Sequence, residues 1–167
     1  MLPRWHILWG AVFTIIVFAV SPQTHFIYLA LIFLSSVFID LDHYFVAVKR
    51  SGRLSLNHAF EYHKVQEKIE IQEYNRKLYQ KGDFHLFHTI EFHLLIAILG
   101  YFWTPFFYIF IGMLFHSLLD LVSLVYDDRL YRREFFLTMQ VLRSRKTTSS
   151  NGPKQKTTHK NRRKKAI

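Results

Sequence analysis

Acidic and imidazole side chains gather in three short stretches of this sequence, each inside or beside a long apolar run. In chain order they are Asp40, Asp42, His43, His85, His88, Glu91, His93, His116 and Asp120. Ionisable groups in or at the edge of hydrophobic helices are costly, so they need partners. A divalent metal ion is the simplest partner that several carboxylates and imidazoles can share.

The spacing within each stretch suits ligands that converge from helices. Asp40 and His43 are three residues apart, which puts both on one helical face. His116 and Asp120 are four residues apart and also share a face. A catalytic zinc needs about three protein ligands plus water, so this many candidates indicate two or more metals, or one metal with orienting groups and a general base. An internal salt-bridge and hydrogen-bond network between helices is the alternative.

Composition predicts an all-α, polytopic membrane protein. Half of the 167 residues are hydrophobic, and 17 of them are Phe. The apolar residues form long runs and the charges lie between the runs, as in membrane proteins with several spans. There is no cysteine, which excludes disulfides and cysteine-ligated zinc.

The runs predict a four-helix transmembrane bundle, in which Gly100 and Pro105 divide the last long run into two spans. A cytoplasmic amphipathic connector helix, predicted over 56–78, would lie within the polar segment 49–82. Residues 1–145 would be the membrane domain, and the basic, apolar-poor residues 146–167 a disordered tail. The four predicted spans are 5–20, 26–48, 89–103 and 105–125.

The placement of charge supports that topology. Arg4 precedes the first span, the connector holds eight Lys or Arg residues, and the chain from Arg129 onward holds thirteen. All 22 basic residues then lie on one side, as the positive-inside rule expects. We therefore predict a multi-pass protein of the inner (plasma) membrane with both termini in the cytoplasm.

In this topology the three polar stretches meet at the cytoplasmic ends of the second, third and fourth spans. The first span is predicted to be a lipid-facing support. His6 and His25 are predicted to be remote from the cluster, because each lies at a terminus or at the other depth. Glu91 is predicted to point into the same cavity.

The order of these motifs resembles a family of small bacterial and archaeal inner-membrane proteins classed as metal-dependent hydrolases. The resemblance rests on Asp40-x-Asp42-His43 after an apolar helix, His88-Thr89 opening the next span, and His116-x-x-x-Asp120. It covers about residues 26–125. Family members more often have Pro before the first Asp, where this chain has Ile39, and a His-Arg-Gly-x-Thr-His-Ser run where it has a different sequence over 85–91. Which of His85, His88 and His93 are ligands therefore stays open.

The resemblance implies a hydrolase, and its pattern is similar to zinc-dependent phospholipase C and nuclease-type enzymes, which by analogy implies a phosphoester or phospholipid substrate. Zinc is the expected ion, with manganese or iron as alternatives, in one or two copies. Glu91 is the expected general base or a further ligand. The predicted metal ligands are Asp40, Asp42, His43, His85, His88, His116 and Asp120.

Other functions fit some of the same features. A metal or proton transporter, or a non-catalytic metal-binding membrane protein, would also carry intramembrane acids and histidines. The outer half of the predicted bundle has no acidic or imidazole side chain beyond His25, whereas a transport path should cross the whole membrane. Membrane lipid is the expected partner, with anionic headgroups attracted by the basic connector and tail. Nucleic acid is not favoured, because residues 160–165 lack interleaved aromatics.

Overall fold

Helices make up nearly all of the secondary structure. The computed structural model describes the backbone of residues 3–78 and 80–150, and the side chains of 4–78 and 80–143. Within those ranges there is no β-strand, which confirms the all-α class. The helices are α1 (Pro3–Val20), α2 (Phe26–Phe38), α3 (Leu41–Ser51), α4 (Leu56–Asn75), α5 (Ile90–Phe102), α6 (Thr104–Tyr126) and α7 (Leu137–Ser150), with short 3₁₀ turns at Leu86–His88 and Leu130–Arg132.

Two of the predicted spans are long and apolar enough to cross a membrane. They are Phe26–Ser51, which joins α2 and α3, and Thr104–Tyr126, which is α6. Helices α1 and α5 are apolar but shorter. The 13 residues of α5 rise about 20 Å, against a hydrocarbon core of about 30 Å.

The second predicted helix is interrupted by a turn at Ile39 and Asp40. We expected one helix over 26–48, but α2 ends at Phe38 and α3 begins at Leu41. At the turn, the Asp40 amide donates to the Val37 carbonyl at 3.4 Å, an i,i+3 bond that tightens the chain. Asp40 therefore lies at the start of α3, and Asp42 lies in its first turn.

Small residues allow the apolar helices to pack closely. Helix α6 contacts α1, α2 and α5. A methyl group at Gly112 of α6 would collide with the Ile32 carbonyl and the Ser35 hydroxyl of α2. Close backbone approach at small residues is a common way for apolar helices to associate in membranes. Near the same crossing, Ile39, Ile96 and Met113 form the buried apolar core.

Helix α4 is the predicted connector helix, and it packs on α3. Asp83, in the loop that follows α4, fastens the two helices together. Its Oδ2 accepts a hydrogen bond from the Tyr62 hydroxyl of α4 at 2.6 Å, and its Oδ1 pairs with Arg50 of α3 at 3.0 Å. Burial, together with the hydrogen bond to Asp83, raises the pKa of Tyr62 to about 12. The two contacts of Asp83 fix the position of the chain two residues before His85.

The chain folds back after α6 in what we call the return segment, residues 127–136. Asp128 has a positive φ of 53°, which lets the backbone reverse. The segment then runs beside the loop before α5: the Gly82 amide donates to the Arg132 carbonyl at 2.9 Å, and the Ile90 amide to the Phe135 carbonyl at 2.9 Å. These bonds fix the backbone of the return segment on both sides of Arg133.

Helix α7 forms part of a second compact unit that begins at Thr138. It continues to Ser150, so the first five residues of the predicted disordered tail, 146–150, are helical. The rest of that tail, 151–167, lies outside the described residues.

Candidate metal centre

Four side chains from three separated segments converge in what we call the central group: Asp40, His88, His116 and Asp120. The His88 and His116 Nε2 atoms are 3.3 Å apart. Asp40 Oδ1 lies 3.3 Å from the His116 Nε2 and 3.7 Å from the His88 Nε2. Asp120 Oδ2 lies 3.8 Å and 3.7 Å from the same two nitrogens. The α2–α3 turn, the loop before α5 and the middle of α6 thus present ligand atoms to one point.

Hydrogen bonds fix which ring nitrogens face that point. The His88 Nδ1 is 3.0 Å from Asp42 Oδ2, and the His116 Nδ1 is 2.7 Å from the Ser36 carbonyl oxygen. A carboxylate and a carbonyl only accept, so both Nδ1 atoms must carry the proton. In their neutral forms both rings therefore direct an Nε2 lone pair into the central group. Burial lowers the pKa of His88, with an opposing rise from its bond to Asp42, so the neutral form is favoured at that ring.

The result is a cluster of four acceptors with no donor among them when both histidines are neutral. Two nitrogen lone pairs at 3.3 Å and two carboxylate oxygens repel one another unless a proton or a metal ion lies between them. The His88, His116 and Asp120 side chains are all buried, and their ligand atoms lie within 4.8 Å of one another. This donor set of nitrogen and oxygen atoms fits zinc and other divalent transition metals.

Three further side chains form what we call the outer group: Asp42, His43 and His85. Their ligand atoms also lie within 4.8 Å of one another. The Asp42 Oδ1 and the His85 Nδ1 are buried, face each other at 3.5 Å and have no hydrogen-bond partner. A pair of buried polar atoms without hydrogen-bond partners costs free energy, which a cation between them would offset. Asp40 links the two groups, because its Oδ1 lies 3.6 Å from the His43 Nε2.

His6 is part of the site, and the prediction that it would be remote is wrong. Its Nε2 lies 3.3 Å from Asp120 Oδ1, and its ring stacks on the His116 ring with centroids 4.1 Å apart. The residue is only 3% exposed. Helix α1 packs against α2 and α6, and its N-terminal end lies at the level of the cluster. The first helix is therefore more than a lipid-facing support, since it supplies a histidine.

Solvent reaches the cluster from the side of Asp40 and His43. The Asp40 side chain is 22% exposed and the His43 side chain 34%, whereas those of His88 and His116 are at most 1% exposed. The gradient leaves the His88 and His116 rings in a buried interior, with Asp40 and His43 at its solvent-exposed edge. A catalytic metal centre needs such an exposed edge for a bound water molecule.

Three further residues considered in the sequence lie outside the ligand groups: Glu91, His93 and His25. Glu91 Oε2 accepts a hydrogen bond from the Leu137 amide at 3.0 Å, and Glu91 belongs to none of the ligand groups, so its catalytic role stays a prediction. His93 Nδ1 bonds the Thr89 carbonyl, and its Nε2 bonds Ser117, so it is turned away from the groups. His25 caps the far end of α2. All seven predicted ligands fall into the overlapping groups: Asp40, Asp42, His43, His85, His88, His116 and Asp120.

Comparisons of the chain with protein-family models, with curated proteins and with solved structures found no match.

Proposed function

We propose that the protein is a membrane-embedded, divalent-metal-dependent hydrolase that acts on a phosphoester at the cytoplasmic face. The observation that carries this proposal is the convergence of the His88 and His116 Nε2 atoms with Asp40 and Asp120 in a buried centre that has one solvent-exposed edge. A metal ion bound there would act as a Lewis acid and would activate water for hydrolysis at neutral pH.

The chain's own groups would hold that centre in its working geometry. Asp42 keeps the His88 ring in the tautomer that frees its Nε2, and the Ser36 carbonyl does the same for His116. Carboxylate and carbonyl partners of this kind fix ligand orientation and raise ligand basicity in metalloproteins. His6 contacts Asp120 Oδ1 at 3.3 Å and is a further orienting group.

Membrane embedding is supported by the apolar surfaces of the two long helices. Only 28% of the most apolar window of Phe26–Ser51 and 22% of that of α6 is buried inside the protein. The core helix of a soluble protein is mostly buried, so apolar faces as exposed as these indicate a surrounding hydrocarbon phase. We propose that α1 and α5 complete a four-helix transmembrane bundle, with tilt or local thinning of the bilayer accommodating the short α5.

The topology predicts that the connector and the return segment face the cytoplasm together with the metal centre. A single cysteine introduced at Ser55 of this cysteine-free chain should stay unlabelled when intact cells are treated with an impermeant thiol reagent, and should react after permeabilisation. A cysteine at Gln23, in the turn between α1 and α2, is the matched control and should react in intact cells. Labelling of the Ser55 position from outside would contradict the topology.

Hydrolysis is tested with zinc-loaded protein in detergent and a panel of phosphomonoester, phosphodiester and carboxylester chromogenic substrates. The His88→Gln variant should lower the rate on a phosphoester by more than about 100-fold, because the central group loses a nitrogen ligand and even the loss of an orienting partner costs roughly 10–100-fold. His58→Gln, half-buried on α4 and outside the ligand groups, is the control and should leave the rate unchanged. Wild-type protein that binds zinc but hydrolyses none of the panel faster than the His88→Gln variant would overturn the hydrolase proposal.

Transport is a weaker candidate. Within the described residues, the acidic and imidazole groups of the apolar helices gather at one end, and His25 alone lies at the other. A conduction path needs polar groups through the full depth of the membrane.

A further inference from the structure

Arg133 lies beside the central group and has no part in the predicted ligand set. Its Nη1 donates to Asp120 Oδ2 at 2.8 Å, the same oxygen that faces the His88 and His116 Nε2 atoms. The Arg133 side chain is 14% exposed, so it is largely buried beside the centre.

The position of Arg133 is set by its backbone. The Gly82 amide bonds the carbonyl of the preceding residue, Arg132, and the Lys81 ammonium bonds the Arg133 carbonyl at 3.1 Å. Two residues further on, Phe135 accepts from the Ile90 amide at the start of α5. The guanidinium is therefore held at the centre before any ligand arrives. Ligand binding then loses little conformational entropy in ordering this side chain.

The positive charge of the Arg133 guanidinium argues against a purely structural role for this residue. A guanidinium next to a metal ligand repels the metal ion, while a neutral donor could orient Asp120 without that cost. With neutral histidines, Asp40, Asp42 and Asp120 carry three negative charges against the single positive charge of Arg133. One divalent ion balances that sum and a second makes the site cationic, which favours an anionic ligand.

We propose that Arg133 binds a phosphoryl oxygen of the ligand at the central group and so selects phosphoesters over neutral esters, an inference that rests on the proposed function. One nitrogen of the planar guanidinium is held by Asp120, and the fork geometry leaves other N–H groups to meet a second oxygen. The ligand class is a phosphate or phosphoester anion, whether it is free in solution or part of a lipid headgroup.

The neighbouring arginine is a matched control. Arg132 pairs with Glu73 at 2.9 Å and with Glu70 at 3.3 Å, both on α4 and outside the two ligand groups. Arg132 and Arg133 therefore have the same charge and adjacent backbone positions but different partners.

The test titrates inorganic phosphate into zinc-loaded protein in detergent by calorimetry, for wild type, Arg133→Gln, Arg133→Lys and Arg132→Gln. Phosphate affinity should fall about tenfold or more in Arg133→Gln, recover in part in Arg133→Lys and stay near wild type in Arg132→Gln. Zinc affinity of Arg133→Gln should stay within about threefold of wild type. If Arg133 merely oriented Asp120, its loss would instead weaken zinc binding by roughly 10–100-fold. Circular dichroism and size-exclusion chromatography establish that each variant is folded.

A second arm replaces inorganic phosphate with dihexanoyl phosphatidic acid below its micelle concentration. Tighter binding of the lipid than of phosphate identifies a headgroup ligand, and equal binding identifies a soluble phosphoester. Either result supports Arg133 as the anion-binding group when the binding is lost in Arg133→Gln.

Two results would overturn the inference. One is equal phosphate affinity in zinc-loaded wild type and Arg133→Gln, which would leave the metal centre intact. The other is a loss of zinc in Arg133→Gln that accounts for the loss of phosphate binding. Wild-type protein that takes up no zinc would instead overturn the proposed function, and the inference with it.

Discussion

Replacing Asp40 with asparagine is expected to weaken zinc binding by about 100-fold or more, since even the loss of an orienting partner costs roughly 10–100-fold. Asp40 Oδ1 faces His116 at 3.3 Å and His43 at 3.6 Å, so one carboxylate serves both the central and the outer group. Asparagine keeps the size of the side chain but removes the negative charge. Zinc content after dialysis, measured by mass spectrometry, and competition with a chromogenic chelator report the change.

Asp127→Asn is the control for this experiment. Asp127 is exposed just after α6 and belongs to neither ligand group, so its loss should leave the zinc content unchanged. If Asp40→Asn retains wild-type zinc affinity, Asp40 is not a metal ligand and does not link the central and outer groups.

A bulky side chain at Gly112 is expected to destroy the fold. The first side-chain atom of Gly112→Leu already collides with the main chain of α2 at Ile32 and with the Ser35 hydroxyl, and backbone cannot move aside as a flexible side chain can. Overpacking typically costs about 1–3 kcal/mol, and we expect this backbone collision to exceed that range. The same crossing positions His116, one turn along α6, so metal binding should be lost together with thermal stability in detergent.

Gly82→Ala is the matched control for the glycine substitution. The nearest atom to a methyl group there would be the Arg132 carbonyl oxygen at 3.5 Å, an ordinary contact, and the Gly82 amide that bonds it is kept. A Gly112→Leu protein that melts within a few degrees of wild type would contradict the packing of α6 on α2.

Most of the helices and the residues that converge at the candidate site could be predicted from the sequence, because both depend on local patterns. Apolar runs bounded by Gly100 and Pro105 predicted α5 and α6 as separate helices, and α6 begins at Thr104. The spacings of Asp40 with His43 and of His116 with Asp120 predicted pairs that share a face, and both pairs are found at the site.

The features that the sequence did not predict depend on contacts between distant segments. The turn at Ile39 and Asp40 contains no Gly or Pro, so nothing local indicated it. The terminal position of His6 predicts that it is remote, although the predicted topology places the start of the first helix at the same membrane level as Asp120. Arg133 is only one of the basic residues after Arg129 in the sequence, because nothing local predicts that the return segment folds back against the loop before α5.

The central claim is that His88, His116 and Asp120 hold a divalent metal ion, and anomalous diffraction at the zinc edge tests it most directly. Crystals of the protein grown with zinc should contain an anomalous peak about 2.0–2.2 Å from both Nε2 atoms and from Asp120 Oδ2. The central group should move little, because the Asp42 and Ser36 bonds already orient both rings. Zinc peaks confined to other positions, with the two Nε2 atoms still in direct contact, would contradict the account.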